Sequence, residues 1–236
     1  ASCLFASLNL ESCFSTLSKE KSCSSTKTFL TLDSSGLGKT IFSLLTLGFL
    51  NNSKISFQSK SNFPSTSLNI KEGDEIILSD LNWTATAAPI TYCKATPVFC
   101  DIDEKNWCAD PDSIEKNISD KTKAIIVVHF AGLITDEIFA IRDFCKEKNV
   151  YLIEDCAHAI GASIKGQKAG TIGDLGCYSF YATKIITAGE GGMLVTNNDD
   201  LFTTMSSMRS RGDDLNIPEE LFINIGSNHK MPEISA

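Results

Sequence analysis

From about residue 70 the chain alternates short apolar runs with segments of helical spacing. EIILSD (75–80), PVFCDID (97–103), AIIVVHF (124–130), VYLIED (150–155) and GGMLVTN (191–197) have strand length and β-branched enrichment. Between them, TDEIFAIRDFCKEKN (135–149) puts Ile138, Ile141, Phe144 and Cys145 on one helical face, with acids crowding its first turn. DPDSIEKNI (110–118) opens with an aspartate N-cap and a proline at the first helical position. Strands that alternate with helices and are apolar on both faces predict an α/β domain, a mainly parallel sheet flanked by helices.

The front of the chain reads differently. KTFLTLDSSGLGKTIFSLLTLGFL (27–50) is a strand, a Gly-rich turn and an apolar helix, whose N-terminus offers free amides at Ser35 and Gly36 to a phosphate. GLGKT also invites a P-loop reading, but G-x-x-x-x-G-K-[ST] needs glycine at 33, where Asp33 stands. An ordinary strand-to-helix turn with a serine cap accounts for the stretch as well. Residues 1–25 are polar and aperiodic, a frayed tail, and residues 51–69 form a Ser/Asn-rich loop of unusual length. KMPEISA at the end reads as the start of a helix, so the natural protein is expected to continue.

Charge and cysteine usage narrow the partners. A net charge of −8 and a pI near 4.9 argue against nucleic acid or an anionic membrane surface. No apolar run reaches membrane-span length. Nine cysteines without a C-x-x-C pair fit neither a zinc site nor a secreted disulfide framework, so no metal is expected and a reducing, cytoplasmic compartment is.

Several predicted strands end in an acid or a histidine, Asp80, Asp101, His129 and Asp155, and ligands of open α/β sheets sit outside the carboxyl ends of the strands. His158 follows Asp155 by three residues. Lys184 ends the aromatic run YSFYATK (178–184). A poorly solvated lysine, a carboxylate and an imidazole are the groups pyridoxal phosphate chemistry requires: a nucleophilic amine, a partner for the ring nitrogen and a hydrogen bond to the phenolic oxygen. Taken alone, the residues favour plainer readings, a snorkelling lysine and a capping aspartate.

IEDCAHAIGASIKGQKAGTIGDLGCYSFYATKIITAGEGGMLVTNNDDL closely resembles the DegT–DnrJ–StrS family of pyridoxal-phosphate-dependent sugar aminotransferases. The resemblance runs upstream through GDEIILSDLNWTATAAPITYCKATPVFCDID and KTKAIIVVHFAG, and a weaker match, GSNHKMPEISA, closes the chain. It implies an aspartate-aminotransferase-like, fold type I large domain over residues 26–236, truncated before a C-terminal small domain. Position by position, it implies Lys184 as the Schiff-base lysine, Ser179 as a phosphate contact and Asp155 as the pyridine-nitrogen partner. His158 would lie near the phenolic oxygen, Ala157 under one ring face, and Trp83 stacked on the other, with core packing the plainer reading of Trp83. Asn228 would reach into a neighbouring subunit, implying a homodimer with shared sites. Relatives that are sugar 3-dehydratases carry histidine where this chain has Lys184, so the lysine favours transamination. The implied substrates are a keto-sugar, nucleotide-linked, and an amino donor, glutamate by analogy. Departures exist too: the family's S-S-G-T becomes Ser34-Ser35-Gly36-Leu37, which removes one phosphate hydroxyl. A non-catalytic relative that only binds cofactor or a partner is therefore the competing expectation.

Overall fold

The computed structural model describes residues 29–32, 68–213 and 222–230. The expectations for residues 1–25, the Ser35–Gly36 turn, the helix after it and most of 51–69 lie outside the described residues. Nine strands are described: β1 (Phe29–Leu32), β2 (Glu75–Ser79), β3 (Thr96–Cys100), β4 (Thr122–Val128), β5 (Tyr151–Asp155), β6 (Ser163–Ile164), β7 (Gln167–Lys168), β8 (Leu175–Ser179) and β9 (Gly192–Val195). The α-helices among the described residues are α1 (Thr84–Tyr92), α2 (Pro111–Asn117), α3 (Ile138–Lys148) and α4 (Asp199–Arg209).

Seven strands form one sheet in the order β1-β9-β8-β5-β4-β2-β3. The five from β3 to β8 run parallel, while β9 and β1 add antiparallel strands at one side. The mainly parallel sheet expected from the pattern is present. Its middle is dry on both faces, since Ile76, Ile77, Ile125, Ile126, Leu152 and Ile153 are all buried. Each such side chain removed from water contributes about 1.5–3 kcal/mol. Alternation sends odd and even positions into two cores. Ile76, Leu78, Ala124, Ile126 and Ile153 pack with Ile90 of α1 and with Leu201 and Met205 of α4. Ile77, Ile125, Val127 and Leu152 pack with Ile114 of α2 and with Ile138, Ile141 and Cys145 of α3. The result is three layers, helix–sheet–helix.

Local chemistry sets the ends of the elements. Asp110 caps α2 as expected, its carboxylate accepting the Ser113 amide at 3.1 Å, with Pro111 at the first position. The helix predicted over 135–149 is shorter: it starts at Ile138, so the acids precede its first turn, and it closes at Asn149 in the left-handed region (φ 56°). The strand expected over 97–103 is not apolar on both faces. β3 is the edge strand, with Phe99 54% exposed, and an edge tolerates Pro97 because one row of its backbone groups is unpaired. Two elements had weak signals. α1 carries no charge at either end and holds Pro89 inside it. β8 is LGCYS, and the run that leads to Lys184 stops being a strand at Ser179.

Candidate cofactor site

Strand β5 delivers two consecutive carboxylates to the carboxyl end of the sheet, one on each face. Asp155 faces α1 and is 3% exposed. Its Oδ1 accepts the Ala157 amide at 3.0 Å, and its Oδ2 lies 3.4 Å from the Thr86 hydroxyl on α1. Burial pushes this carboxyl up to about 6. The Ala157 amide, Lys184, His129 and Thr86 pull it back only in part.

Glu154, on the other face, is fully buried and saturated. It accepts the amides of Gly170 (2.8 Å), Ile172 (2.7 Å) and Gly173 (2.6 Å). His129 Nε2 lies 2.8 Å from its Oε2. With three amides as donors the carboxylate is the acceptor, so the ring nitrogen donates. Nδ1 of His129 is buried with no partner among the described residues. His129, a carboxylate oxygen of Glu154 and Cys156 Sγ lie within 4.8 Å of one another. Glu154's oxygens are already taken by N–H donors, which leaves a poor ligand set for an ion. The loop that Glu154 ties down leads directly into β8. There the approach is close: a Cβ on Gly176 would stand 2.3 Å from Gly170 Cα.

β8 lies beside β5, with Cys177 opposite Asp155, and ends at Ser179, two residues further along on Asp155's face. Beyond it the chain folds into a turn in which the Lys184 amide donates to the Tyr181 carbonyl at 2.9 Å. The Tyr181 amide donates to the Ser179 hydroxyl at 3.3 Å. Lys184 is half-buried, less shielded from water than the aromatic run before it suggests, and its neighbour Ile185 is exposed. Desolvation lowers the Lys184 amine and Asp155 counters by raising it. His158 is lowered by its own partial burial and then by Lys184. Asp155, Lys184 and His158 therefore share one electrostatic neighbourhood.

His158 has a built backing. Its ring meets Phe130 edge-on at 6.3 Å, and Phe130 meets Trp107 in the same way at 5.8 Å. Gly132 (φ +85°) passes so near that a Cβ there would stand 2.9 Å from the His158 carbonyl oxygen. Trp83 is 74% exposed, which rules out core packing for its indole. It starts α1, its amide donating to Asn82 Oδ1 at 2.7 Å. Ala157 is half-buried directly after Asp155. Asn228 is exposed far along the chain, bridged to Ser210, with its Oδ1 accepting the Lys230 amide at 3.4 Å. Two of the four strand-end residues, Asp80 and Asp101, turn to solvent instead of joining the site.

Sequence reasoning missed Thr86, Asn82 and Glu154. No local pattern in the sequence marks Thr86, because the helix that carries it has neither a clear period nor charged ends. The ensemble fits a planar, cationic ring. A buried carboxyl has no ion-pair partner in contact among the described residues, an amine nearby is held below its ordinary basicity, and the indole of Trp83 is exposed at the start of the helix that packs on that carboxyl.

Fold and site together define the large domain of an aspartate-aminotransferase-like, fold type I protein. Residues 65–236 match the DegT/DnrJ/EryC1/StrS aminotransferase family, and the chain belongs to it. It is 41% identical over 169 residues to the GDP-perosamine synthase of Caulobacter vibrioides, covering 72% of this chain and 45% of that protein. Over 140 residues it is 41% identical to the L-glutamine:2-deoxy-scyllo-inosose aminotransferase of Streptoalloteichus tenebrarius, 59% of this chain and 33% of that one. The aminotransferase from Psychrobacter cryohalolentis superposes with a TM-score of 0.74 at 30% identity, over 89% of this chain and 50% of that chain. The chain thus spans half or less of the length of these relatives.

Proposed function

We propose that this chain is the cofactor-binding part of a pyridoxal-phosphate-dependent aminotransferase that aminates a keto-sugar, nucleotide-linked, for amino-sugar biosynthesis. The observation that carries this reading is buried Asp155 at the carboxyl end of β5, with Lys184 in the turn that follows the adjacent strand β8, near enough for each to act on the other's charge. When bound, pyridoxal phosphate supplies an electrophilic aldehyde carbon and an electron-withdrawing ring.

The protein's residues supply the rest. Lys184 would be the covalent attachment point, and its Nζ would take and return the substrate's Cα proton as general acid–base. Asp155 holds a positive ring nitrogen, which converts its costly buried charge into a paired one. His158, whose basicity desolvation and then Lys184 lower, would offer a hydrogen bond to the phenolic oxygen. Trp83 and Ala157 would flank the ring, and Ser179 with Ser35 and Gly36 would hold the phosphate. The donor is of the glutamate–glutamine type; the name of the Streptoalloteichus relative points to L-glutamine. The exposed position of Asn228 supports a homodimer in which this residue reaches the partner's site. Among the described residues no helix is long and apolar enough to cross a membrane, and we place the protein in the cytoplasm on its cysteine usage.

Adding pyridoxal phosphate to purified protein, reducing with borohydride and mapping the modified peptide tests the site. Wild type should develop a visible band and carry the label on Lys184. Lys184→Ala should lose both band and turnover of a keto-sugar while its circular dichroism is unchanged. No band, or label scattered over surface lysines, would sink the enzymatic reading. A band on Lys184 without amination of any keto-sugar would favour the non-catalytic one.

A further inference from the structure

The single proton of the Thr86 hydroxyl has two claimants. Thr86 Oγ1 lies 2.9 Å from Asn82 Oδ1 and 3.4 Å from Asp155 Oδ2. The orientation of the Asn82 amide is settled, because the same Oδ1 receives the Trp83 N–H at 2.7 Å and must be the carbonyl oxygen. A carbonyl oxygen only accepts, so at the shorter distance the Thr86 proton goes to Asn82. Thr86 then presents lone pairs to Asp155. Two acceptors in a site where Thr86 is fully buried and Asp155 nearly so repel, unless the carboxyl itself carries the proton and donates it.

We propose that Thr86 is a positioning residue whose hydroxyl switches between Asn82 and Asp155, so that the proton on Asp155 is set by whether a ring nitrogen occupies the site. This rests on the reading of Asp155 as the ring-nitrogen partner. With no ring nitrogen present, Asp155–OH donates to Thr86 and Thr86–OH donates to Asn82. On docking, the Asp155 proton passes to the ring nitrogen or, where that nitrogen arrives protonated, to water. The Thr86 O–H then rotates to donate to the carboxylate, and Asn82 keeps the Trp83 amide. No bond other than O–H and N–H changes, and no charge is left over. The chain of contacts joins the residue that holds the ring's edge, Asp155, to the turn that carries the indole proposed for its face, Trp83. The other titratable groups around Asp155 are Lys184 from the turn after β8, His129 from the end of β4, and the Cys156 and Cys177 thiols. Of these only the two thiols can both donate and accept through one atom, and they do so more weakly than a hydroxyl.

The test uses cofactor-free protein with 13C-carboxyl-labelled aspartate, titrated by NMR, with Asp155→Asn assigning the resonance. Wild-type Asp155 should titrate near 6. Thr86→Val, which removes the stronger charge-assisted bond to the carboxylate as well as the neutral one, should move the midpoint up by about one pH unit. Thr86→Ser should restore it. Asn82→Ala frees the hydroxyl to donate to Asp155 permanently and should move the midpoint down. These opposite signs are what general loss of packing does not produce, and Asn82→Ala decides the matter should Thr86→Val fail to fold. Unchanged midpoints, or both moving the same way, overturn the proposal. In a second readout, the preference for pyridoxal phosphate over its 1-deaza analogue, which lacks the ring nitrogen, should fall about tenfold in Thr86→Val. An undiminished preference in Thr86→Val likewise overturns it. Absence of any Lys184 label in wild type would instead refute the functional reading, while the titration still decides the role of Thr86.

Discussion

Glu154 and Asp155 are adjacent on one strand, equally buried, and built for opposite ends. Strand alternation points them to opposite faces of the sheet. Glu154 meets three backbone amides and an imidazole, all between 2.6 and 2.8 Å. Asp155 meets one amide at 3.0 Å and a hydroxyl at 3.4 Å already engaged elsewhere. Burial penalises both alike, so the difference lies in what the fold supplies against it. Glu154 is fully satisfied by its own chain and holds the 170–173 loop against the sheet. Asp155 is left short of donors, which costs stability in the free protein and leaves room for a cation. A carboxylate that the protein satisfies is structural; one that it under-satisfies is a candidate to meet a ligand.

The harshest way to break the contrast is Glu154→Ala. It orphans the amides of Gly170, Ile172 and Gly173 together with the His129 ring, each buried donor costing about 1–3 kcal/mol. A loss of at least about 4 kcal/mol is expected by urea denaturation, a large share of the total for a domain of this size. A loss under 1 kcal/mol would mean that water replaces the carboxylate and that Glu154 is not structural.

Asp155→Asn should act in the other direction and through pH. The folded carboxyl is raised from the model-compound 3.8 to about 6, so between those values the folded protein binds more protons than the unfolded chain. Stability contributed by the protonated form is complete below about pH 4 and is lost as pH rises through 6. The two-unit shift corresponds to about 3 kcal/mol. Cofactor-free wild type should therefore weaken by that amount from pH 4 to pH 7 relative to Asp155→Asn, measured as the difference in unfolding free energy. Parallel pH profiles would show that Asp155 pays no burial cost.

Much of this contrast could be seen in the chain before its fold, but not all of it. The strands announced themselves as β-branched runs, and Asp110-Pro111 marked the start of α2 because capping is chemistry among neighbours. Asp155, His158 and Lys184 stood out by residue type and by family resemblance. α1 was hidden, since Pro89 and an uncharged, small-residue sequence give neither period nor polarity. Thr86 and Asn82 were invisible as partners of Asp155 because that contact spans 69 positions of chain and exists only once β2 and β5 share a sheet. The roles of Glu154 and Asp155 were indistinguishable by type. Which carboxylate is satisfied depends on the loop that returns at Gly170–Gly173, and no local pattern records that return.

A third carboxylate sharpens the comparison at its mild end. Asp110 also accepts a backbone amide, Ser113 N at 3.1 Å, at the N-terminus of α2, but it is only partly buried. Water can replace its oxygen when it is removed, so the cost is that of a lost cap and not of a stranded donor. Asp110→Ala should lower stability by about 1 kcal/mol and leave cofactor binding unchanged. It should also be the most salt-sensitive of the three carboxylates, because the interaction of its charge with the helix terminus is screened by ions that cannot reach Glu154 or Asp155. Urea denaturation of wild type and Asp110→Ala at low and high salt measures this. If the difference holds constant across salt while Glu154→Ala becomes salt-dependent, solvent access is not what separates the surface carboxylate from the two at the end of β5.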